Sequence, residues 1–288
     1  MGHKAGFVSI IGKPNVGKST LMNKLLGVSL SIVTPKAQTT RHRIKGIFNT
    51  DDVQIVFSDT PGILDPHYLL HEKMMESVKS SLEDADVVLF ITDLTEAYMD
   101  EDFRAKIAAI KTPLIIVLNK IDISTQNEIN KLVHAWKKHV NPHAIIPVSA
   151  KENFNVKLIE EAIIKLLPEA PPYFPKEDLS DSSQRFFISE FIREKIFMHY
   201  QEEIPYSTEV GVETFKDEGT IVKIGAVIFV ERDSQKAIVI GRQGSIIKRI
   251  REEAEADLKE LFDYPIKLQL QVRVDLDWRR SDSALSRI

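Results

Sequence analysis

The chain has 288 residues, 43% of them hydrophobic and 28% charged, with a net charge of -4 and no cysteine. The length suits two domains, and the composition is that of a folded globular chain rather than a disordered or fibrous one. Missing cysteines exclude disulfides, thiolate metal sites and cysteine nucleophiles, and without a global positive field any nucleic-acid site must be local.

The amino terminus runs straight into a strand, and no stretch approaches the roughly 18 apolar residues of a spanning helix. A cytosolic protein without signal peptide or membrane span is expected, with peripheral membrane contact left open. FVSII at Phe7–Ile11 is a short apolar strand that feeds a glycine loop and the helical pattern STLMNKLLG. Gly12 to Ser19 reads GKPNVGKS, the complete G-x-x-x-x-G-K-S/T spacing of a P-loop between a strand and a helix. The glycines let successive amides face phosphate, Lys18 reaches the β- and γ-phosphates, and the Ser19 hydroxyl ligates magnesium. Nucleotide contacts are therefore expected from Gly12, Lys13, Pro14, Asn15, Val16, Gly17, Lys18, Ser19 and Thr20.

Residues 29–43, SLSIVTPKAQTTRHR, lack a clear period and contain threonines able to reach a metal beside a γ-phosphate. They read as a switch segment, with Thr40 the first choice as ligand and Thr39 the second. VQIVF at Val53–Phe57 then leads to Asp59-Thr60-Pro61-Gly62. Here Asp59 emerges at a strand end to meet magnesium, and the Gly62 amide can approach the γ-phosphate. Lys18, Thr40 and Gly62 are thus the groups expected to act at the reacting phosphate. Ile63, Leu64 and Asp65 follow, where many small GTPases place a water-orienting glutamine, so slow intrinsic turnover is expected.

Further apolar runs, VVLFIT at Val87–Thr92, LIIVL at Leu114–Leu118 and AIIPV at Ala144–Val148, alternate with segments of helical spacing. That alternation predicts an α/β domain with a mostly parallel sheet and a ligand at the carboxyl ends of its strands. Asn119-Lys120-Ile121-Asp122 follows the fourth run, and the Asp122 carboxylate can accept from both guanine N1–H and the N2 amine, donors that adenine lacks in that arrangement. Ser149-Ala150-Lys151 follows the last, placing a loop amide near the guanine carbonyl.

The first domain is expected to span residues 1–167 and a proline-rich linker residues 168–184, starting with PEAPPYFP. Residues 185–288 have a different texture: a helix to about Tyr200, alternating strands at 208–215 and 220–230, the run AIVIG, a second glycine loop, a helix at 245–262 and the strand KLQLQVRVDL. An α+β domain is expected. Its loop, Gly241-Arg242-Gln243-Gly244, allows close approach of a nucleic-acid backbone, and Arg242, Lys248, Arg249 and Arg251 gather positive charge around it.

With GKPNVGKS, TTRHR, DTPG, NKID and SAK in place, the chain closely resembles the bacterial Era family of GTPases over nearly its whole length. The resemblance implies a type II KH domain whose G-x-x-G loop is Gly241–Gly244, with Lys248 and Arg249 beside it. It further implies Mg-dependent GTP hydrolysis, binding to the 3′ region of small-subunit (16S) rRNA, a role in 30S maturation, and peripheral association with the inner membrane. Asn15 resembles the asparagine of potassium-stimulated relatives, and Gln243 departs from the glycine often found in related loops. A monomer is expected. Two other classes compete. A phosphotransferase would share the P-loop but not DTPG with NKID, and a constitutive RNA chaperone would bind RNA regardless of nucleotide.

Overall fold

The computed structural model describes residues 2–93, 101–262, 264–276 and 278–281. The chain forms two compact units, the first being Met1–Ser31, Thr40–Asp65 and Met74–Asp181, and the second Ile32–Thr39, Pro66–Lys73 and Ser182–Ile288.

The first unit carries β1 (Lys4–Ile11), α1 (Lys18–Leu26), β2 (Ile44–Asn49), β3 (Val53–Asp59), α2 (Leu69–Glu83, whose first turn falls in the second unit), β4 (Val87–Thr92), α3 (Glu101–Ala108), β5 (Leu114–Leu118), α4 (Gln126–His139), β6 (Ala144–Pro147) and α5 (Val156–Leu166). The sheet order is β2-β3-β1-β4-β5-β6, and β2 alone runs antiparallel, against β3. Every residue of β3, β4 and β5 is buried, as expected of parallel strands covered on both faces. Register decides where a ligand can go: Ile10 stands opposite Asp59, Ile11 opposite Phe90, Thr92 opposite Leu118, and Leu118 opposite Pro147. The strands therefore finish level, and their exit loops crowd one end of the sheet.

β2 is a strand that the sequence reading passed over. Residues 168–181 lie along the first unit, against β1, β3 and the outer edge of β2. The Pro168 carbonyl accepts from the Ala5 amide, and Gln54, fully buried on β3, accepts from the Tyr173 and Phe174 amides. Further on, the Leu179 carbonyl accepts from Ile47 N–H, Ser180 Oγ donates to the Lys45 carbonyl, and Asp181 pairs with Lys45 at 2.7 Å.

The second unit is built from α6 (Gln184–His199), a short α7 (Ile204–Ser207), β7 (Thr208–Asp217), β8 (Val222–Val230), α8 (Asp233–Ile240), α9 (Ser245–Phe262) and β9 (Ile266–Val274). Ser183 caps α6 by accepting from the Phe186 amide. The three strands lie in order β7-β8-β9, the first pair antiparallel and the second parallel. Ile188, Ile192 and Ile196 of α6 and Ile250, Ala254 and Leu258 of α9 repeat every four residues, and each set forms one helix stripe buried against Ala226 and Ile228. The run AIVIG, too short to show a period, is the second half of α8 and the glycine that ends it.

Two segments that flank the P-loop site in sequence are built into this unit. Lys36 Nζ donates to the Phe197 and Tyr200 carbonyls at the carboxyl end of α6, where a cation meets unsatisfied acceptors and the negative end of the helix dipole. Arg193 donates to the Thr39 carbonyl, and the Arg279 guanidinium lies 5.4 Å over the Tyr68 ring.

Candidate nucleotide and RNA sites

The loop Gly12–Gly17 leaves β1 and enters α1 through left-handed or strained glycines, with φ 151° at Gly12 and 98° at Gly17. Neither position has room for a side chain. A Cβ on Gly12 would stand 2.2 Å from the Ile91 carbonyl oxygen, and one on Gly17 would stand 2.2 Å from Asn119 Nδ2. The loop is thus moulded by the neighbouring strand exits. Lys18 is buried, and its ammonium donates to the Gly12 and Lys13 carbonyls at 3.1 and 2.8 Å, across the concavity of the loop.

Three oxygen donors meet at the start of α1. Ser19 Oγ donates to Asp59 Oδ2 at 2.6 Å and lies 2.9 Å from Thr40 Oγ1. Thr39, chemically equivalent on paper, is occupied elsewhere, since its hydroxyl donates to the Lys36 carbonyl at 2.7 Å and lies 2.6 Å from Thr34 Oγ1. Asp59 is fully buried and its Oδ1 has no protein partner. Burial pushes its pKa up, against the opposing pull of the Ser19 hydroxyl and the Lys18 charge. Hydroxyl and carboxylate oxygens suit a hard divalent cation, and such a cation favours the charged form of a buried carboxylate. Magnesium therefore fits Ser19, Thr40 and Asp59.

Beyond Asp59, the Thr60 hydroxyl is tied to the Ile10 carbonyl at 2.7 Å, and Gly62 lies so close to Pro14 that a Cβ would approach its ring to 2.6 Å. The Ile63 amide donates to the Gly12 carbonyl at 3.1 Å. Proline followed by glycine is here a requirement of close backbone approach, beyond a simple turn preference.

On the base side, Asn119 braces the pocket. Its Nδ2 donates to the Val16 carbonyl at 2.8 Å, its Oδ1 accepts from the Ala150 amide at 3.0 Å, and its own amide reaches the Thr92 carbonyl at 2.8 Å. One side chain so joins the P-loop to the Ser149–Lys151 loop. Asp122 is exposed, with Oδ1 oriented by the Ser149 hydroxyl at 2.7 Å. Lys151 points to Glu152 at 3.7 Å and lies away from this cluster of bonds. The sequence reading missed Asp93, which is buried and pairs with Lys120 at 2.6 Å, holding that residue in its left-handed conformation (φ 63°). Its place directly after the strand VVLFIT, level with the other strand exits, was the available signal.

In the second unit, Gly241–Gly244 joins α8 to α9. Gly241 (φ 73°, ψ 173°) is closed to side chains, a Cβ there coming within 2.6 Å of Ile246 Cγ1, whereas at Gly244 (φ 73°) the nearest atom lies 4.0 Å away. Gln243 also sits in the left-handed region at φ 52°. This conformation costs a non-glycine residue about 1 kcal/mol and accounts physically for a preference for glycine there. Lys248 and Arg249 reach one turn along α9 to Glu252 and Glu253, at 3.8 and 2.9 Å, and Arg251 lies 3.4 Å from Glu252. The positive charge near the loop is thus partly compensated, by exposed pairs worth about 0.3–0.5 kcal/mol each.

A moulded P-loop, an oxygen-donor cluster and an NKID brace on a parallel sheet, followed by a G-x-x-G loop on a three-stranded α+β unit, define a P-loop GTPase with a KH domain. Residues 7–120 match the 50S ribosome-binding GTPase family and residues 203–279 match the KH domain. The chain is 43% identical over 285 residues to GTPase Era of Geotalea daltonii, covering 98% of this chain and 96% of that one, and 41% identical over 280 residues to GTPase Era of Staphylococcus haemolyticus, covering 96% and 94%. It belongs to the GTPase Era family. Among solved structures, Era in complex with MgGDPNP and nucleotides 1506-1542 of 16S ribosomal RNA superposes with a TM-score of 0.94 at 39% identity, covering 99% of this chain and 98% of that one. An Aquifex aeolicus Era variant bound to GDP.AlF4- matches equally well in every one of these measures.

Proposed function

We propose that this protein is a GTP-hydrolysing switch that binds the 3′ region of 16S rRNA through the Gly241–Gly244 loop and assists maturation of the 30S subunit. One observation carries the switch: Thr40 lies at the oxygen-donor cluster, while the residues directly before it, Ile32–Thr39, belong by their contacts to the unit that bears the RNA loop. A γ-phosphate and metal that draw on Thr40 would pull on a segment tied through Thr39 and Lys36 to α6. Bound magnesium supplies charge neutralisation at the phosphates. Lys18 and the loop amides hold and orient the triphosphate, Gly62 lets its own amide approach, and Asp122 selects guanine. The RNA assignment is supported by the relative whose structure contains 16S nucleotides, which aligns with 99% of this chain.

The test is affinity for an oligonucleotide from the 3′ end of 16S rRNA, measured with GDP and with GDPNP at fixed salt. Tighter binding with GDPNP is expected. Gly244→Asp should lose about 10-fold or more of that affinity by setting a carboxylate against phosphate, while leaving GDP binding unchanged, because Gly244 lies in the other unit and the cost of its left-handed backbone (φ 73°) to a side chain, about 1 kcal/mol, falls there. Equal RNA affinity in both nucleotide states would instead describe a constitutive RNA chaperone.

The family resemblance also supports potassium stimulation through Asn15, which is held at φ 65° in the P-loop; faster turnover in potassium than in sodium is expected, and equal rates would remove the cation from the scheme. The same resemblance supports a cytoplasmic protein with peripheral contact at the inner membrane. Among the described residues, no helix is long and apolar enough to cross a membrane.

A further inference from the structure

A nucleotide bound as described above is held at two ends, its phosphates by the loop that leaves β1 and its base by Asp122 and the Ser149–Lys151 loop, which follow β5 and β6. In the order β1-β4-β5-β6, the path between those ends crosses the exits of β4 and β5. Asp93 and Lys120 stand on that path. Asp93 follows β4 directly, Lys120 lies two residues beyond β5, and the register sets Thr92 opposite Leu118.

Lys120 Nζ meets Asp93 Oδ2 at 2.6 Å, so the four-carbon stem of the lysine is drawn from its own strand exit to the next one. The Asp93 side chain is 4% exposed and that of Lys120 is 36% exposed. The ammonium is therefore anchored at a buried carboxylate while the lysine side chain keeps an open surface. Its backbone is fixed as well. The left-handed turn at Lys120 (φ 63°, ψ 34°) is closed by the Ile123 amide and the Ser124 hydroxyl, which donate to the Lys120 carbonyl at 3.2 and 3.0 Å. One residue earlier, the Asn119 amide donates to the Thr92 carbonyl at 2.8 Å and ties the two exits together.

We propose that Asp93 is a positioning residue for the nucleotide: by pinning the Lys120 ammonium, it lays the lysine stem across the strand exits as an apolar floor for the face of the base. The inference rests on the nucleotide-binding reading above and adds a residue to it. Lysine stems cover apolar surface readily when the charge at their tip is satisfied. Lysine is also among the side chains that lose most rotamer freedom on being ordered, and a floor set before the nucleotide arrives spares the complex that loss. Asp93 should thus govern how long nucleotide is held, through Lys120 and without touching the nucleotide.

The experiment is release of fluorescent N-methylanthraniloyl-GDP from the full chain, chased with excess unlabelled nucleotide at constant magnesium. Wild type should yield the probe site to GDP and not to equimolar ADP; equal competition would sink the nucleotide-site reading itself. Asp93→Asn, of the same shape, should release the probe about 10-fold faster. Lys120→Met keeps an apolar stem and deletes the ammonium, so it should have the same effect from the other end of the pair, and it decides the matter alone if Asp93→Asn does not fold. In the double variant the two effects should not add, with release within about 2-fold of the faster single variant. A merely structural role for Asp93 would lower the unfolding midpoint without this coupling. Release at the wild-type rate in either single variant, or effects that multiply in the double variant, would overturn the proposal while leaving the nucleotide site intact.

Discussion

Asp122→Asn is expected to turn the base pocket from guanine to xanthine, lowering GDP affinity by about 10³-fold, roughly 4 kcal/mol. The wild-type carboxylate offers only acceptors, matched to the N1–H and N2 donors of guanine, and the Ser149 hydroxyl fixes its rotation at 2.7 Å. Asparagine places an N–H₂ where an acceptor stood, so two donors face each other as the base is covered. Xanthine carries a carbonyl in place of the N2 amine and can accept from that new donor. Competition between GDP and XDP for a fluorescent nucleotide decides the matter. Retained preference for GDP in the variant would mean that Asp122 is not the base-selecting group. Asn119, whose amide is committed to Val16 and Ala150, should not permit such an exchange, since its loss disrupts the pocket wall for every nucleotide.

The second large effect lies in the other unit. Arg193 and Glu190 are both buried on α6 and form a two-point pair, Nε to Oε1 at 2.8 Å and Nη2 to Oε2 at 2.6 Å. Burial works against the guanidinium charge, but Glu190 first, then Glu209 and Glu194, outweigh it and hold Arg193 firmly charged. Removing one partner of such a pair costs about 3–5 kcal/mol, because the survivor is left charged in the interior. Arg193→Met should sit at the high end, as it takes from the buried Glu190 its two-point partner and removes a positive charge that acts on the buried Glu209. Glu190→Gln should cost less, with Glu209 still near the guanidinium. Urea unfolding of the full chain, followed by a probe in the second unit, provides the measurement. Losses under about 1 kcal/mol for Arg193→Met would show the pair to be hydrated in solution, with the value of an exposed one. The variant also releases the Thr39 carbonyl, so it should weaken the nucleotide dependence of RNA binding even where the fold survives.

Much of this could be read from residues alone, for identifiable reasons. The P-loop, DTPG and NKID were legible because chemistry there demands fixed types at fixed spacing, and the buried strands because uninterrupted apolar runs have few other uses. The choice between Thr39 and Thr40 was not, since adjacent residues of one type differ only in where the backbone aims them. Glu190 and Arg193 look like a solvated i,i+3 pair in sequence; their burial follows from what packs around α6. Ser31 turns inward from a polar, aperiodic stretch, where no period marks which side chain does so. β2 escaped notice because IKGIFN is short and carries a lysine and a glycine, and its outer edge is covered by residues more than a hundred positions later.

Those later residues have a consequence for the chain's behaviour in a crowded solution. An outermost strand normally displays a row of unpaired N–H and C=O groups on which another polypeptide can add itself. On β2 the outward-facing groups at Lys45 and Ile47 and the Asn49 side chain are taken by Ser180, Leu179 and Lys176 of the same molecule. The strap that follows α5 therefore seals this border of the sheet against edge-to-edge association, so that the molecule does not offer its own backbone as a template for aggregation.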